Sequence, residues 1–282
     1  MELALRSLTC TDMDILCRAF NQAFSNYQVP MHFSPQQLET TLRTRSVSLS
    51  LSRGLFTPEG ELTAFLFAGV GQWEGEPAVY DAGTGVLPAW RGQGAAGRLV
   101  DAVAEEAGRR NCRRFVLEVL QDNEPAVKLY EKRGFVRRRE LICLSGVPEG
   151  MRSTEFSVTA EPALPPEVKH FLNFPPAWQN DFPAIAAAKP EICALRENGV
   201  CTACAAVTAS GNLMLLGVAP DKRRQGRMDA LLSVLRARMN GGKLSVANVD
   251  ARDAETLMAL TRRGLKPVAR QFEMTRRLEN AE

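Results

Sequence analysis

Gly85-Val86-Leu87-Pro88-Ala89-Trp90-Arg91-Gly92-Gln93-Gly94-Ala95-Ala96-Gly97 stands between a strand-like run and a stretch whose apolar positions Leu99, Val100, Val103, Ala104 and Ala107 share one helical face. A glycine-rich segment that leaves a strand and opens a helix gathers the free N–H groups of the first helical turn, and the positive end of the helix, at one point. An anion belongs there, most naturally a pyrophosphate. Gly94 and Ala96 are small where a phosphate would approach the main chain closely, and Gly92 and Gly97 loosen the turn. The segment is not a Walker A loop, because no Gly-Lys-Ser/Thr ending occurs, and its spacing does not fit the dinucleotide fingerprint. Taken alone, such a turn is more often a plain connection.

The stretch has an echo. Gly217-Val218-Ala219-Pro220-Asp221-Lys222-Arg223-Arg224-Gln225-Gly226 matches Gly85 to Gly94 at six of ten positions, namely the pairs of Gly85, Val86, Pro88, Arg91, Gln93 and Gly94. Further on, Arg133-Gly134-Phe135 lines up with Arg263-Gly264-Leu265, an offset of 130 rather than 132. Two tandem units are expected, residues 1–146 and 153–282, with Val147-Pro148-Glu149-Gly150 in the loop between them.

Working outward from the first copy, Leu3 to Leu8 reads as a strand, and Thr11 with Asp14 starts a helix that carries Ile15, Leu16, Ala19, Phe20, Ala23 and Phe24 on one face. Ser34 before Pro35, with Gln37 three residues on, starts a second helix to about Thr44. Val47, Leu49 and Leu51 alternate with serines and predict a strand. Two more strands, Leu62 to Gly71 and Ala78 to Val86, are joined by a short turn that fits an antiparallel hairpin. After the helix that follows Gly94 come a strand at Arg114 to Leu120, a helix at Pro125 to Lys132 ended by Gly134, and a strand at Arg137 to Leu144. The expected fold is therefore α/β: a mixed, mostly antiparallel sheet flanked by helices, occurring twice.

Composition narrows the function classes. The chain has 282 residues and a formal charge of +3, with 17 basic and 17 acidic residues in positions 1–146 and 18 against 15 thereafter. Neither half has the basic surplus that tracks a phosphate backbone, so no nucleic-acid partner is expected. The runs Arg109-Arg110, Arg113-Arg114 and Arg137-Arg138-Arg139 read as a solvated rim. Seven scattered cysteines suggest a reducing cytoplasm, and the lone pair Cys201 and Cys204 lacks enough partners for zinc, so no metal is expected. No apolar run reaches spanning length and the N-terminus lacks a leader pattern, so a cytoplasmic protein without a membrane partner is expected.

The context of the glycine-rich loop is more telling than the loop itself. Val86-x-Pro88-x-x-Arg91-x-x-Gly94-x-Ala96, followed by Leu117-Glu118-Val119, Asn123, Ala126 and Leu129-Tyr130-Glu131-x-x-Gly134-Phe135, resembles the GNAT superfamily of acyl-CoA-dependent N-acetyltransferases. Residues 84 to 135 look most like the branch of bacterial ribosomal-protein alanine N-acetyltransferases. The resemblance covers the first unit well and the second only around residues 215 to 265. It implies acetyl-CoA as co-substrate, with its pyrophosphate on the loop Arg91, Gly92, Gln93, Gly94, Ala95, Ala96 and Gly97, and its pantetheine arm paired with the main chain of Thr84, Gly85 and Val86. It further implies that Asn123 bonds the cofactor, that Tyr130 protonates the departing thiolate, and that Glu118 is the general base.

These roles make chemical sense independently. An amine that attacks a thioester must lose a proton, and the thiolate must gain one. Deprotonating a lysine near pH 7.5 costs about 4 kcal/mol and an α-amine under about 1 kcal/mol, so a base is expected for lysine and optional for an N-terminus. Glu118 lies in an otherwise apolar strand, either as a base raised by burial or as a structural ion-pair or water-positioning residue. Asp81, one strand earlier, is the runner-up base. Tyr130 could instead be an amphipathic core filler, and Asn123 a helix cap.

In the second copy Glu118 becomes Asn248, Asn123 becomes Asp253, Tyr130 becomes Leu260 and Ala96 becomes Met228. The expectation is a degenerate copy, so that the chain is a monomer with a pseudo-dimeric domain pair, with a second non-catalytic cofactor site as the other option. The expected activity is transfer of an acetyl group to a primary amine by direct attack in a ternary complex. The alternative is a non-catalytic acyl-CoA-binding regulatory or interaction protein. The acceptor amine, selected by about Asn21 to Arg53, carries no readable signature.

Overall fold

A computed structural model describes residues 2–25, 32–239 and 242–279. The chain divides into two compact units: Met1–Val119 with Asn123–Arg138 and Glu273–Glu282, and Leu120–Asp122 with Arg139–Phe272. The division is therefore not one of simple chain order. Residues 139–146, expected with the first unit, fall in the second, and the final stretch falls in the first.

The first unit contains β1 (Ala4–Ser7), α1 (Met13–Ala23), α2 (Pro35–Thr44), β2 (Arg53–Phe56), β3 (Leu62–Trp73), β4 (Glu76–Val86), α3 (Ala95–Arg109), β5 (Arg114–Leu120, whose last residue belongs to the second unit) and α4 (Glu124–Lys132). Its strands follow the order β1, β2, β3, β4, β5, with the end of the last strand, β12 (Lys266–Arg277), beside β5. The β1 to β4 ladders are antiparallel and β4 pairs β5 in parallel. Residues Leu62 to Ala68 of β3 are buried without alternation, because α3 packs on the sheet and α1 also covers β3. The α2 start is a full capping box: Ser34 Oγ accepts the Gln37 N–H, and Gln37 Oε1 accepts the Ser34 N–H.

Two local expectations are corrected. The helix at Thr11 begins instead with Asp12 in the N-cap position, and that side chain makes no capping bond. The strand expected over Val47 to Leu51 is a single bridge, Val47 to Gly69, followed by turns. Serines there bond locally: the Leu51 and Ser52 N–H groups donate to Ser48 O at 3.1 and 2.9 Å, and Ser52 Oγ donates to the same carbonyl at 2.8 Å. Short hydroxyl side chains compete with a ladder in this way. The strand comes later, as β2.

The second unit holds residues 139–146 of β6 (Val136–Gly146), β7 (Val158–Glu161), α5 (Phe182–Ala188), β8 (Glu191–Glu197), β9 (Val200–Val207), β10 (Leu213–Val218), α6 (Arg227–Arg238), β11 (Leu244–Asp250), α7 (Ala254–Thr261) and most of β12. Strands β10, β9, β8 and β7 form an antiparallel sheet, and β11 pairs β6 antiparallel. The sheet is apolar on both faces. Ala203, Ala205 and Val207 pack with Leu231, Leu232 and Leu235 of α6, while Cys204 and Ala206 pack with Val168, Phe171 and Ile185. Cys201 and Cys204 lie in this second cluster, and burial pushes both thiols up. Among the described residues no helix is long and apolar enough to cross a membrane.

Candidate active site

In the first unit the site is made by a fork. Strands β4 and β5 pair at Ala78 with Arg114, Val79 with Phe115, and Tyr80 with Val116. Beyond Tyr80, β4 runs on beside β3, with Phe67 opposite Gly83, Leu66 opposite Thr84, Phe65 opposite Gly85 and Ala64 opposite Val86. The β3 and β4 register jumps from Asp81 to Gly83, so Ala82 is the extra residue of a bulge. Bulges bend and twist a strand and re-aim side chains. Arg45, at the end of α2, donates to the Ala82 carbonyl at 2.6 Å and holds the bend in place.

Two tyrosine–carboxylate pairs start from successive positions of β4 here, Tyr80 with Glu118 and Asp81 with Tyr130. Asp81, only 7% exposed, accepts the Tyr130 hydroxyl on Oδ2 at 3.0 Å, the Thr84 hydroxyl on Oδ2 at 2.7 Å and the Gly83 N–H on Oδ1 at 3.0 Å. Burial pushes its carboxyl above the usual range, against the pull of the Thr84 and Tyr130 hydroxyls, the Gly83 N–H and the Arg45 charge. Glu118 on β5 accepts the Tyr80 hydroxyl on Oε2 at 2.9 Å. Tyr130 reaches in from α4, buried against Phe135 with ring centroids 5.6 Å apart. Asn123 is the α4 N-cap, its Oδ1 accepting the Ala126 N–H at 3.3 Å.

The glycine-rich loop follows β4 directly. Gly92 and Gly94 have φ of +75° and +78°, a left-handed conformation that costs glycine little. Nothing lies within 4 Å of where a Cβ would stand at either position, so the approach is open. The first α3 bond runs from Arg98 N–H to Gly94 O, which leaves the Ala95, Ala96 and Gly97 N–H groups as first-turn donors without a partner one turn back. Arg91 does not extend into this space. Its Nε donates to Val86 O at 3.2 Å and its Nη2 to Ala23 O at 2.7 Å, tying the loop to the end of β4 and to α1. Gly97 does not loosen the turn: it is buried inside α3, where a Cβ would collide with the Arg133 guanidinium. Arg133 donates there to Gly97 O at 3.1 Å and pairs with Asp101 at 3.1 Å.

The second unit repeats the scaffold and refills the space around its loop, while a cavity between β10 and β11 stays open, lined among others by Leu215, Asn248, Asp253 and Leu260. Arg223 Nε donates to Val218 O at 3.3 Å and its Nη2 to Phe171 O at 2.9 Å, as Arg91 does to Val86 and Ala23. Asp253 caps α7 through the Thr256 N–H at 3.2 Å, as Asn123 caps α4. Around the loop the chemistry differs. The place of Gly92 is taken by Arg224 at φ +60°, which pairs with Glu255. The place of Ala95 is taken by Arg227, 5% exposed, which donates to Glu197 Oε1 and lies over the Phe156 ring at 4.8 Å. Thr154 stands 3.1 Å from where a Gly226 Cβ would be. Asp229, in the place of Gly97, is 1% exposed and pairs with Arg263 at 2.6 Å and Arg152 at 3.3 Å. Asp229 thus stands in the first helical turn with both carboxylate oxygens taken by arginines.

A segment of the chain matches a known family. The model of the acetyltransferase (GNAT) family covers residues 15–135, from α1 through the fork, the loop and α4. Residues 15–135 are thus similar to the GNAT acetyltransferase family. Curated protein sequences give no match. Among solved structures, a tandem GNAT protein from the clavulanic acid biosynthesis pathway matches with a TM-score of 0.73 at 14% identity, over 100% of this chain and 100% of that one. A GCN5-related N-acetyltransferase from Sphaerobacter thermophilus matches at 0.71 and 15%, over 99% and 97%. One from Anabaena variabilis matches at 0.59 and 13%, over 97% and 72%. These likenesses are of fold, and the tandem GNAT protein matches the two α/β units of this chain over its whole length.

Sequence reasoning singled out Glu118 as a base, Tyr130 as an acid and Asp81 as the runner-up base, without partners for any of them. The structure brings Tyr130 to Asp81 and Tyr80 to Glu118. Tyr80 was missed. Its only signal was a polar aromatic beside Asp81 within the apolar part of β4. Part of the stretch expected to select the acceptor, residues 26–31, lies outside the described residues.

Proposed function

We propose that the chain is an acetyl-CoA-dependent N-acetyltransferase that acts on a primary amine through its first unit, by direct attack in a ternary complex, with the second unit as a degenerate, non-catalytic copy. The observation that carries this reading is a conjunction: β4 leaves β5 after Tyr80, the pairs Tyr130–Asp81 and Tyr80–Glu118 stand where the strands part, and a left-handed glycine loop open at Gly92 and Gly94 precedes the next helix. The donor set fits the cofactor. First-turn N–H groups of Ala95, Ala96 and Gly97, with the main chain of Arg91, Gly92, Gln93 and Gly94, suit a pyrophosphate, and the helix adds its positive end. The main chain of Thr84, Gly85 and Val86 suits the amides of a pantetheine arm added like a strand. Asn123, at the head of α4, stands as a further cofactor ligand.

Acetyl-CoA, when bound, supplies the activated acetyl group. Glu118 takes the proton of the amine, directly or through a water, and Tyr80 holds its carboxylate in place. The Val86 N–H polarises the carbonyl, and Tyr130 Oη gives its proton to the leaving sulfur. The second unit lacks these groups, and Arg227, Met228 and Asp229 occupy the start of its helix.

The test is incubation of the full chain with acetyl-CoA and a panel of small amines, amino acids and peptides. Thiol release that depends on an amine is expected, and Tyr130→Phe is expected to lower turnover by about 10²–10⁴-fold while leaving coenzyme A affinity intact. Tight binding without amine-dependent thiol release would make the chain an acyl-CoA-binding regulatory protein instead.

A further inference from the structure

Asp81 has no part in the steps above, yet it is a buried carboxylate held by three hydrogen bonds. Three donors converge on it, from Tyr130, Thr84 and the Gly83 N–H, and the bulge that aims it is fixed by Arg45 on the Ala82 carbonyl. A buried carboxylate is costly where a neutral side chain could accept the same hydrogen bonds. Thr84 Oγ1 and Tyr130 Oη both meet the same atom, Oδ2, at 2.7 and 3.0 Å. In the acid form the bond runs the other way: Oδ1 is held by the Gly83 N–H, so Oδ2–H donates to Tyr130 Oη and frees the phenol proton for the sulfur.

We propose that Asp81 is a positioning residue behind Tyr130: its Oδ2 fixes the phenol at the fork and exchanges a proton with it. This rests on the reading of Tyr130 as the donor to sulfur. The step balances within the chain. As the Tyr130 O–H bond breaks and an S–H bond forms, the Asp81 Oδ2–H bond breaks and the phenolic O–H re-forms, leaving Asp81 as a carboxylate. Solvent then resets the pair, with Asp81 regaining one proton and Glu118 losing the one it took from the amine. Tyr130 is never left as a phenolate.

The chain has three tyrosines, so ring-carbon NMR with ¹³Cζ-tyrosine is simple to assign by comparison with Tyr130→Phe. In the protein without cofactor, the Tyr130 signal should shift as pH is raised and Asp81 titrates above the ordinary aspartate range, and stay flat in Asp81→Asn. A signal that never moves, or that moves equally in Asp81→Asn, overturns the proposal. In turnover, Asp81→Asn should lower kcat by about tenfold or more at unchanged coenzyme A affinity, yet add less than about twofold in a Tyr130→Phe background. Multiplying losses would mean that Asp81 acts on the amine by itself and would also overturn it. If the wild-type chain turns over no amine, the functional reading fails, and the NMR result still decides whether the two residues share a proton.

Discussion

At Asp81 a carboxylate sits inside a sheet where burial favours its neutral form, and this gives stability a definite pH dependence. The folded chain holds the proton more tightly than the unfolded chain, whose aspartates titrate near about 3.9. The stabilising effect is full below that value and is lost as pH rises from there through the raised folded value. Asp81→Asn removes the loss. Urea midpoints measured from pH 4 to 8 should show the variant gaining on wild type with rising pH, whatever constant offset the lost oxygen brings, and a difference flat in pH would contradict the assignment. Residue types at the site were legible in the sequence because Glu118 and Asp81 interrupt apolar strands. Their partners were not. Tyr130 reaches Asp81 across 49 positions and Tyr80 reaches Glu118 across 38. Which hydroxyl meets which carboxylate is set by the Ala82 bulge, and no local pattern announces a bulge.

Helix starts show how a repeated element diverges. Both α3 and α6 follow a left-handed glycine and an arginine tied to the preceding strand, but the first turn of α3 presents bare N–H groups while that of α6 carries Asp229. Burial pushes the Asp229 carboxyl up, yet Arg263 and Arg152 outweigh it and hold it below the usual range. Asp229→Ala leaves Arg263, 17% exposed, facing an emptied site and should cost about 3 kcal/mol in denaturant unfolding near pH 7. A loss under about 0.5 kcal/mol would reduce Asp229 to a surface ion pair. The carboxylate stabilises above the unfolded aspartate value and fades as pH falls through its lowered one, so the variant should approach wild type only in acid. Elements with strong local rules were readable, as the α2 capping box and the fully apolar β3 show. The serine-rich stretch 47–51 was misread because alternation is shared by a strand and by turns whose hydroxyls bond their own backbone.

On the scale of the molecule, chain order and compactness part company at the ends of the repeat. The tandem plan was legible because the loop recurs almost residue for residue. The sorting of β6 and β12 was not, since a period-two pattern specifies a face and leaves the neighbouring strand open. Glu273, Met274, Thr275 and Leu278 are all at most 5% exposed and belong to the compact unit of residues 1–119, with Leu278 N–H donating to Arg113 O at 2.9 Å. Ending the chain after Phe272 should therefore lower the stability of the first unit by about 3 kcal/mol or more, from Met274 and Leu278 alone. Hydrogen exchange would register the loss at β5, and protection unchanged there would contradict the division.

The first loop is open at Gly92 and Gly94, and in its copy Arg224, Arg227 and Thr154 crowd the corresponding space. Calorimetric titration of the full chain with coenzyme A tests this contrast most directly. One site per chain is expected, abolished by Gly94→Val and retained by Gly226→Val. No heat at all, two sites per chain, or loss of binding through Gly226→Val alone would contradict the account.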